Sequence, residues 1–396
     1  MGIKSFSKCF TPVRIVKIRD MTGQTIAIDA MTEIYRAALG AASVNTLTDQ
    51  AGNPTLHINV ILANIFEFHR QGVNQIWVFD YNGIHNTNKL EELEKRKKRR
   101  MDARKKLDDM LLEETKEKLF SDNEDETSEQ TESTKQPDQG SDLTKLISKD
   151  SLQKRLFTVS EEMINDIKLI LNALNIRYVE APRAFEGEAI AAYLTTNGTA
   201  TAVYSGDVDP IPFGANILYK KNSFDKKIYE YTRTNILEQL TEAGIEDADT
   251  DTLLKVCVAL GSDFAEKTNG IGPKTVLKKL DSIELSEKQK SAIEHFKKRP
   301  SPNEIVIQNA DKTAFHDCKY RLLLDWLCEE KNFSKTRMIN LFYSVIPDME
   351  LSDEERGALK KPKKVTKPNL KKGLKQVTKK PITKKGVSPK SSTTKS

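Results

Sequence analysis

Two hydrophobic periods alternate along the chain. Apolar, strand-like runs stand at Thr25-Ile26-Ala27-Ile28-Asp29, Gln75-Ile76-Trp77-Val78-Phe79-Asp80 and Thr201-Ala202-Val203-Tyr204-Ser205. Between the first two, residues 31–42 and 57–70 are patterned for helices, the second with Ile58, Ile61, Leu62, Ile65 and Phe66 at helical spacing. Strand, helix and strand in this order predict a parallel sheet. Beyond residue 151 come an amphipathic helix marked by Ile164, Ile167, Leu171 and Leu174, a strand at 177–179 and a helix at 186–194. Later strands are predicted at 217–220 and 227–231. From Asp251 the pattern is helical, over 253–260, 274–280, 287–296 and 317–327, and no internal repeat is found. The fold class expected is α/β, a mostly parallel sheet flanked by helices and followed by a helical region.

Charge divides the chain further. Residues 89–106 form a basic helical stretch with ten Lys or Arg against four acids, and residues 108–132 reverse the sign with eleven acids against two lysines. Having almost nothing to bury, residues 107–150 are expected to be a disordered insertion between an N-terminal half (1–106) and an internal half (151–250). A helical region (251–350) and a lysine-rich tail (351–396) follow. The net charge of +6 conceals this tail: residues 360–396 hold 14 lysines and no acid, so the rest of the chain carries −8. Such a tail suits polyanions, nuclear import or both. A nuclear location is expected, in the host nucleus if the chain is viral.

The 396 residues can bury a sizeable core, and no apolar stretch approaches the roughly 20 residues of a membrane span. No membrane association is expected. The N-terminus lacks a signal peptide's apolar centre, and Phe6 departs from the myristoylation pattern. Cys9, Cys257, Cys318 and Cys328 form no CxxC pair, which points to a reducing compartment and away from zinc.

The candidate chemistry lies where the strand-like runs stop on acids: Asp29, Asp80, Asp207 with Asp209, and also Glu186 with Glu188 and Asp263. In an open parallel sheet, ligands sit outside the carboxyl ends of the strands, so these acids would share one crevice. Crowded carboxylates repel unless cations sit among them, and oxygen-only ligands favour hard ions such as Mg²⁺. Singly, each acid has a plainer role. Asp29 could cap a helix, Asp80 begin the Asn82-Gly83 turn, Asp207 form an Asx turn, and Glu186 and Glu188 decorate a helix start. Their joint recurrence at run ends favours the metal reading. Gly270-Ile271-Gly272-Pro273-Lys274 lies between two helical patterns and suits a hairpin gripping a phosphate backbone without reading bases. A plain helix–helix turn is its alternative. Lys89, Arg96 and Arg100 can share one helix face and grip phosphate. The five histidines form no ligand set, and no Ser-His-Asp elbow motif is present.

Taken in order, these segments resemble the XPG-type structure-specific 5′ nucleases, closest to the flap endonucleases. The likeness rests on Met1-Gly2-Ile3-Lys4, Ile26-Ala27-Ile28-Asp29-Ala30, Trp77-Val78-Phe79-Asp80 and Glu92-Leu93-Glu94-Lys95-Arg96. It continues through Val179-Glu180-Ala181-Pro182 with Glu186-Gly187-Glu188-Ala189, Ser205-Gly206-Asp207-Val208-Asp209, and Leu260-Gly261-Ser262-Asp263 with the Gly270–Lys274 segment. The resemblance implies a PIN-like sheet with a helical arch and a helix-hairpin-helix region. It implies that Asp29, Asp80, Glu186, Glu188, Asp207, Asp209 and Asp263 hold two Mg²⁺ ions. Lys89 and Arg96 match the family's basic gateway residues, and Tyr35 its base-stacking tyrosine. DNA contacts are implied for Gly2, Tyr35, Arg100, Gly270, Gly272 and Lys274, with K⁺ bound by backbone groups at the hairpin. The implied substrate is branched or nicked double-stranded DNA, cut by a monomer in replication or repair.

Departures are visible as well. Phe79-Asp80-Tyr81-Asn82-Gly83 replaces Phe-Asp-Gly, Arg183-Ala184-Phe185 widens the Pro-to-Glu interval, and Phe264 stands in place of a tyrosine. The acidic insertion falls where the family has its arch, which puts threading of a free 5′ end in question. No glutamine-led box ending in two aromatics occurs in the tail, so sliding-clamp binding is not expected. A PIN-like ribonuclease, a junction-resolving member of the same family and a non-catalytic DNA scaffold are the alternatives.

Overall fold

The computed structural model describes residues 2–42, 48–81, 90–122, 149, 151–357 and 359. Its strands are β1 (Arg14–Val16), β2 (Thr25–Asp29), β3 (Asn74–Phe79), β4 (Arg177–Glu180), β5 (Ala202–Ser205), β6 (Ile217–Lys221), β7 (Ile228–Thr232) and β8 (Ile307–Gln308). The helices on the N-terminal side are α1 (Phe6–Cys9), α2 (Ala30–Ala42), α3 (Leu56–Arg70), α4 (Leu90–Asp122), α5 (residues 151–156) and α6 (Glu161–Ala173). After them come α7 (Gly187–Thr196), α8 (Arg233–Glu242), α9 (Thr250–Leu260), α10 (Glu287–Lys297), α11 (Tyr320–Glu329), α12 (Lys335–Tyr343) and α13 (Asp353–Gly357). Among the described residues no helix is long and apolar enough to cross a membrane.

All the strands join one sheet in the order β1-β7-β6-β5-β2-β3-β4-β8. The central run β6-β5-β2-β3-β4 is parallel, as the strand–helix–strand pattern requires. Its members are covered on both faces, so Ile26, Ala27, Ile28, Ile76, Trp77, Phe79, Ala202 and Val203 are all fully buried. From β2 the chain steps outward to β3 and β4, then returns through α7 to β5 on the other flank of β2. The order therefore reverses between β2 and β5, and a crevice opens there at the carboxyl ends of the strands.

The edges differ from a purely parallel sheet. β7 runs antiparallel to β6, β1 pairs antiparallel with β7, and the two-residue β8 closes the far edge against β4. Strands β1 and β8 carry no apolar run long enough to reveal them; pairing with a neighbour makes them strands.

Three helical expectations are corrected. The helix expected to begin at 317 starts at Tyr320, because Phe315 and Asp317 adopt positive φ (65° and 45°). Residues 274–280 form a turn and then a 3₁₀ helix, Leu277–Ser282, a form used where only a short piece fits, here between Pro273 and the Ser286 cap of α10. The basic helix does not stop at the change of charge but runs on to Asp122. Helix formation tolerates either sign of charge, and Ala103, Leu107 and Met110 give α4 an apolar stripe against Leu152 and Leu156 of α5. Residues 123–148 and 150 of the expected insertion lie outside the described residues, as do residues 358 and 360–396 of the tail.

Gly261, which closes α9, ties this scaffold to the N-terminus. Its φ of +92° lies in a region that side-chain-bearing residues avoid, and a Cβ there would stand 2.8 Å from the Lys267 nitrogen. Its carbonyl accepts the Lys4 N–H at 2.9 Å. Gly261→Ala is expected to lower unfolding free energy by about 2 kcal/mol, through backbone strain and displacement of Lys267. Denaturant titration checks this; an unchanged midpoint would show that the loop relaxes freely.

Candidate active site

Each carboxylate is delivered by the end of a regular element. β2 terminates at Asp29, which is 6% exposed; the Thr32 N–H donates to it at 3.0 Å and the Ser205 hydroxyl at 2.7 Å. The Thr32 bond is that of a helix cap, so Asp29 both starts α2 and faces the crevice. Burial pushes its carboxyl up from the ordinary aspartate range, the bonds from Thr32 and Ser205 oppose this, and the charge of Asp80 adds to it.

Asp80 follows β3 directly and accepts the Gly187 N–H at 2.7 Å, which joins it to the start of α7. Glu186 stands at the N-cap position of that helix and is buried, while Glu188 stands in its first turn and is half-buried. Asp207 and Asp209 occupy the turn after β5. The Asp207 N–H donates to the Ser205 hydroxyl at 3.0 Å, and Asp209, 2% exposed, accepts the Ile3 N–H at 2.9 Å. Asp263 follows α9, accepts the Gly2 N–H at 3.3 Å and pairs with the Arg96 guanidinium. Gly2 lies so close to this group that a Cβ there would overlap the carboxylate oxygens of Asp207 and Asp209. The Asp207 carboxyl is raised by burial, with Asp263 and Asp29 adding their repulsion.

All seven acids therefore come to the same end of the sheet at its switch point. The donors are oxygens only, which suits a hard divalent cation in kind. As arranged, however, among the described residues no three carboxylates converge on a single point to grip an ion. Asp29 is turned to Thr32 and Ser205, Asp80 to Gly187, and Asp263 to Arg96.

Arg96 sits one turn beyond Glu92 on α4 and bonds it at 3.3 Å. Burial works against its charge, but the charge of Asp263 and the bond to Glu92 more than offset this. Nearby ion pairs pin the first turns of α4 to the segment after α9 and to α10: Lys95 with Glu266 at 2.6 Å, and Lys288 with Glu91 at 2.6 Å. Lys89 lies outside the described residues. Arg100 is half-buried one turn past Arg96. Tyr35 packs against Phe157 with ring centroids 5.9 Å apart and lines a cavity of about 440 Å³ with Arg99, Lys106 and Arg155. At the hairpin, Gly270 takes φ +72°, and at neither Gly270 nor Gly272 would a Cβ meet any atom within 4 Å; Lys274 is exposed. Thr275 closes the turn by accepting the Gly272 N–H at 2.8 Å.

The matches with known proteins follow the same segments. The XPG N-terminal domain family matches residues 1–103 and the XPG I-region family matches residues 175–263. A flap endonuclease 1 of Nematostella vectensis is 27% identical over 367 residues, covering 85% of each chain. This is an XPG-type, flap endonuclease-like nuclease. As such it is a hydrolase. Among solved structures, flap endonuclease-1 from Methanococcus jannaschii superposes with a TM-score of 0.59 at 19% identity, over 88% of this chain and 99% of that one. The catalytic core of Rad2 in complex with a DNA substrate gives 0.54 at 16% identity, over 87% of this chain and all of that one. At these identities the two structures speak for the PIN-like fold alone.

Several residues of this XPG-type nuclease's site escape a sequence reading. Ser205, fully buried, orients both Asp29 and the Asp207 amide. Glu33, 3% exposed one turn after Asp29, is held by Arg36 at 2.7 Å, Asn64 at 3.3 Å and Lys221 at 3.8 Å. Arg99 and Arg155 join Tyr35 only through the packing of α4 beside α5. A polar residue inside an apolar run was the one available signal, and only Ser205 carried it.

The crowding has a measurable consequence. An acid whose carboxyl is raised in the folded state destabilises that state above its folded pKa, and the penalty is relieved as pH falls through it. Metal-free Asp207→Asn protein is therefore expected to be more stable than wild type at pH 7, by about 1 kcal/mol or 2–3 °C, with the gain shrinking toward pH 4. Thermal melts at the two pH values check this, and equal melting temperatures at pH 7 would count against the crowding.

Proposed function

We propose that this nuclease is a Mg²⁺-dependent, structure-specific DNA endonuclease and 5′ exonuclease acting at 5′ flaps, nicks or junctions in replication or repair. The observation that carries the reading is the arrival of seven carboxylates at one sheet edge, faced by the Arg96 guanidinium. Asp29, Asp80, Glu186 and Glu188 would hold one ion, and Asp207, Asp209 and Asp263 the other. Such ions, when bound, activate a water and stabilise charge on the scissile phosphate.

The chain's own residues do the remaining work. Arg96, released from Asp263, offers a fixed cation to the phosphoryl oxygens, and the same role is proposed for Lys89 from its place in the sequence. Tyr35, in a cleft lined by Arg99, Lys106, Arg155 and Asp102, would offer a surface on which a base can stack. Gly2 and Arg100 border the path of the strand. At the hairpin, Gly270 and Gly272 let duplex backbone approach closely, Lys274 supplies a counter-charge, and K⁺ would sit among backbone carbonyls. Nothing in this set reads base edges, so selection rests on the shape and bendability of a nick or branch. Branched or nicked double-stranded DNA is the partner we propose for a monomeric chain here; the Rad2 core, of the same fold, was solved with a DNA substrate. The lysine tail suits a nuclear location and contact with DNA phosphates.

Asp209→Asn is expected to lower cleavage at least about 100-fold while leaving DNA affinity within a few-fold of wild type. Single-turnover assays on a 5′-flap substrate, paired with binding titrations, test it; cutting at the wild-type rate refutes the assignment. Removal of residues 360–396 is expected to weaken DNA binding and flatten log K against log[salt] by about one unit or more. An unaltered slope would mean the tail does not touch DNA.

A further inference from the structure

Away from the carboxylate crevice, two arginines meet without an acid between them. Gly214 lies in the connection from β5 to β6, Arg233 is the first residue of α8, and Arg299 follows the end of α10. At the point where a Cβ of Gly214 would stand, Arg299 Nη2 is 2.8 Å away and Arg233 Nη1 is 3.2 Å away. The opposite nitrogens anchor both groups. Arg233 Nη2 donates to the Thr250 hydroxyl, while Arg299 Nη1 donates to the carbonyls of Phe296 at 2.6 Å and Lys298 at 3.0 Å. The nitrogens left facing each other are thus the ones without a protein acceptor among the described residues.

No carboxylate balances the pair among the described residues. Asp251, close by in the chain, is held by Lys297 at 2.8 Å. The first turn of α8 contains no acid, so the positive end of that helix adds to the field. Burial lowers the hold of both guanidiniums on their protons, and for Arg299 the neighbouring Arg233 lowers it further. At a separation of at most about 6 Å, two partly desolvated like charges repel, and an anion between them removes the conflict. Two charge-assisted bonds of about 2.8 Å, joined through one edge of a tetrahedral oxyanion, span that gap. Arg299 is exposed, so the site opens to solvent.

Topology separates this site from the catalytic one. Strands β5 and β6 are parallel, so the chain between them must travel from the carboxyl edge of the sheet to the amino edge. Gly214 stands three residues before β6 begins, and Arg233 follows the end of antiparallel β7, with its N–H bonded to the Asn216 carbonyl at 2.9 Å. The arginine pair lies at the end of the sheet opposite the acids. We propose that Arg233 and Arg299 form a binding site for a phosphate-type oxyanion, either free or carried as a backbone phosphate on an arm of nucleic acid.

The full chain is melted in inorganic phosphate and in chloride at matched ionic strength, which cancels general salt effects. At phosphate concentrations tenfold above its dissociation constant, wild type is expected to gain about 2 °C. The Arg233→Gln/Arg299→Gln protein gains nothing, and cleavage of a short flap substrate is unchanged. Arg299→Ala alone, at an exposed side chain, serves if the double variant folds poorly. Duplexes with short and long arms form the second arm of the test. If free phosphate does not stabilise wild type but the variants lose long-arm affinity and about one unit of salt slope, the site takes a strand phosphate. The proposal is overturned if wild type and variants respond alike to phosphate and bind long-armed DNA with equal affinity and slope.

Discussion

Electrostatic repulsion among acids at one edge of the sheet is the constraint on which the rest of the structure turns. Three of the seven, Asp29, Glu186 and Asp209, are buried, where an ionised carboxylate is costly unless donors surround it. The fold meets that demand locally. Thr32 and Ser205 serve Asp29, the Ile3 amide serves Asp209, the Gly187 amide serves Asp80, and Arg96 with the Gly2 amide serves Asp263. Two of those donors come from the extreme N-terminus, which explains why the first residues are threaded between β5's outgoing turn and the segment after α9. The apolar strands behind the acids, fully buried along β2 and β3, hold the cluster in place and offset its cost.

Arg96 links this cluster to α4. Exposed ion pairs such as Lys95–Glu266 and Lys288–Glu91 contribute little individually to stability, but they fix where the long helix leaves the body of the protein. The Arg96–Asp263 pair is more sheltered and carries a second meaning. The guanidinium that would face a phosphate in the proposed reaction also neutralises the charge of Asp263. Downstream, Ala103 and Leu107 of α4 bury against Leu152 of α5, which gives an otherwise charge-dominated helix an apolar anchor.

Opposite charge logic governs the other end of the sheet. There the conflict is between two cations, Arg233 and Arg299, that local hydrogen bonds orient toward each other across Gly214. The two ends of the sheet carry opposite charge, and each is placed by the direction in which the parallel strands run.

The central strands, the helices between them and the acids that end the apolar runs were legible in the chain, because continuous apolar runs and helical spacing are local signals. Asp29, Asp80, Asp207 and Asp209 stood out for the same reason: an acid directly after an apolar run is visible without knowing where the run goes. Contacts between distant segments were not legible. Nothing local marks Ile3 as the partner of Asp209, Gly2 and Arg96 as partners of Asp263, Arg99 and Arg155 as neighbours of Tyr35, or Arg299 as a neighbour of Arg233. The reach of α4 to Asp122 was likewise hidden, since its stripe has meaning only against Leu152 and Leu156. Sequence alone determined the α/β class and the carboxylates at the strand ends, because periodicity and the identity of a residue after a strand are properties of short stretches. Only the tertiary structure decided which donors those carboxylates accept and which cations face them, because hydrogen bonds and fields act through space at a few ångströms, whatever the separation along the chain.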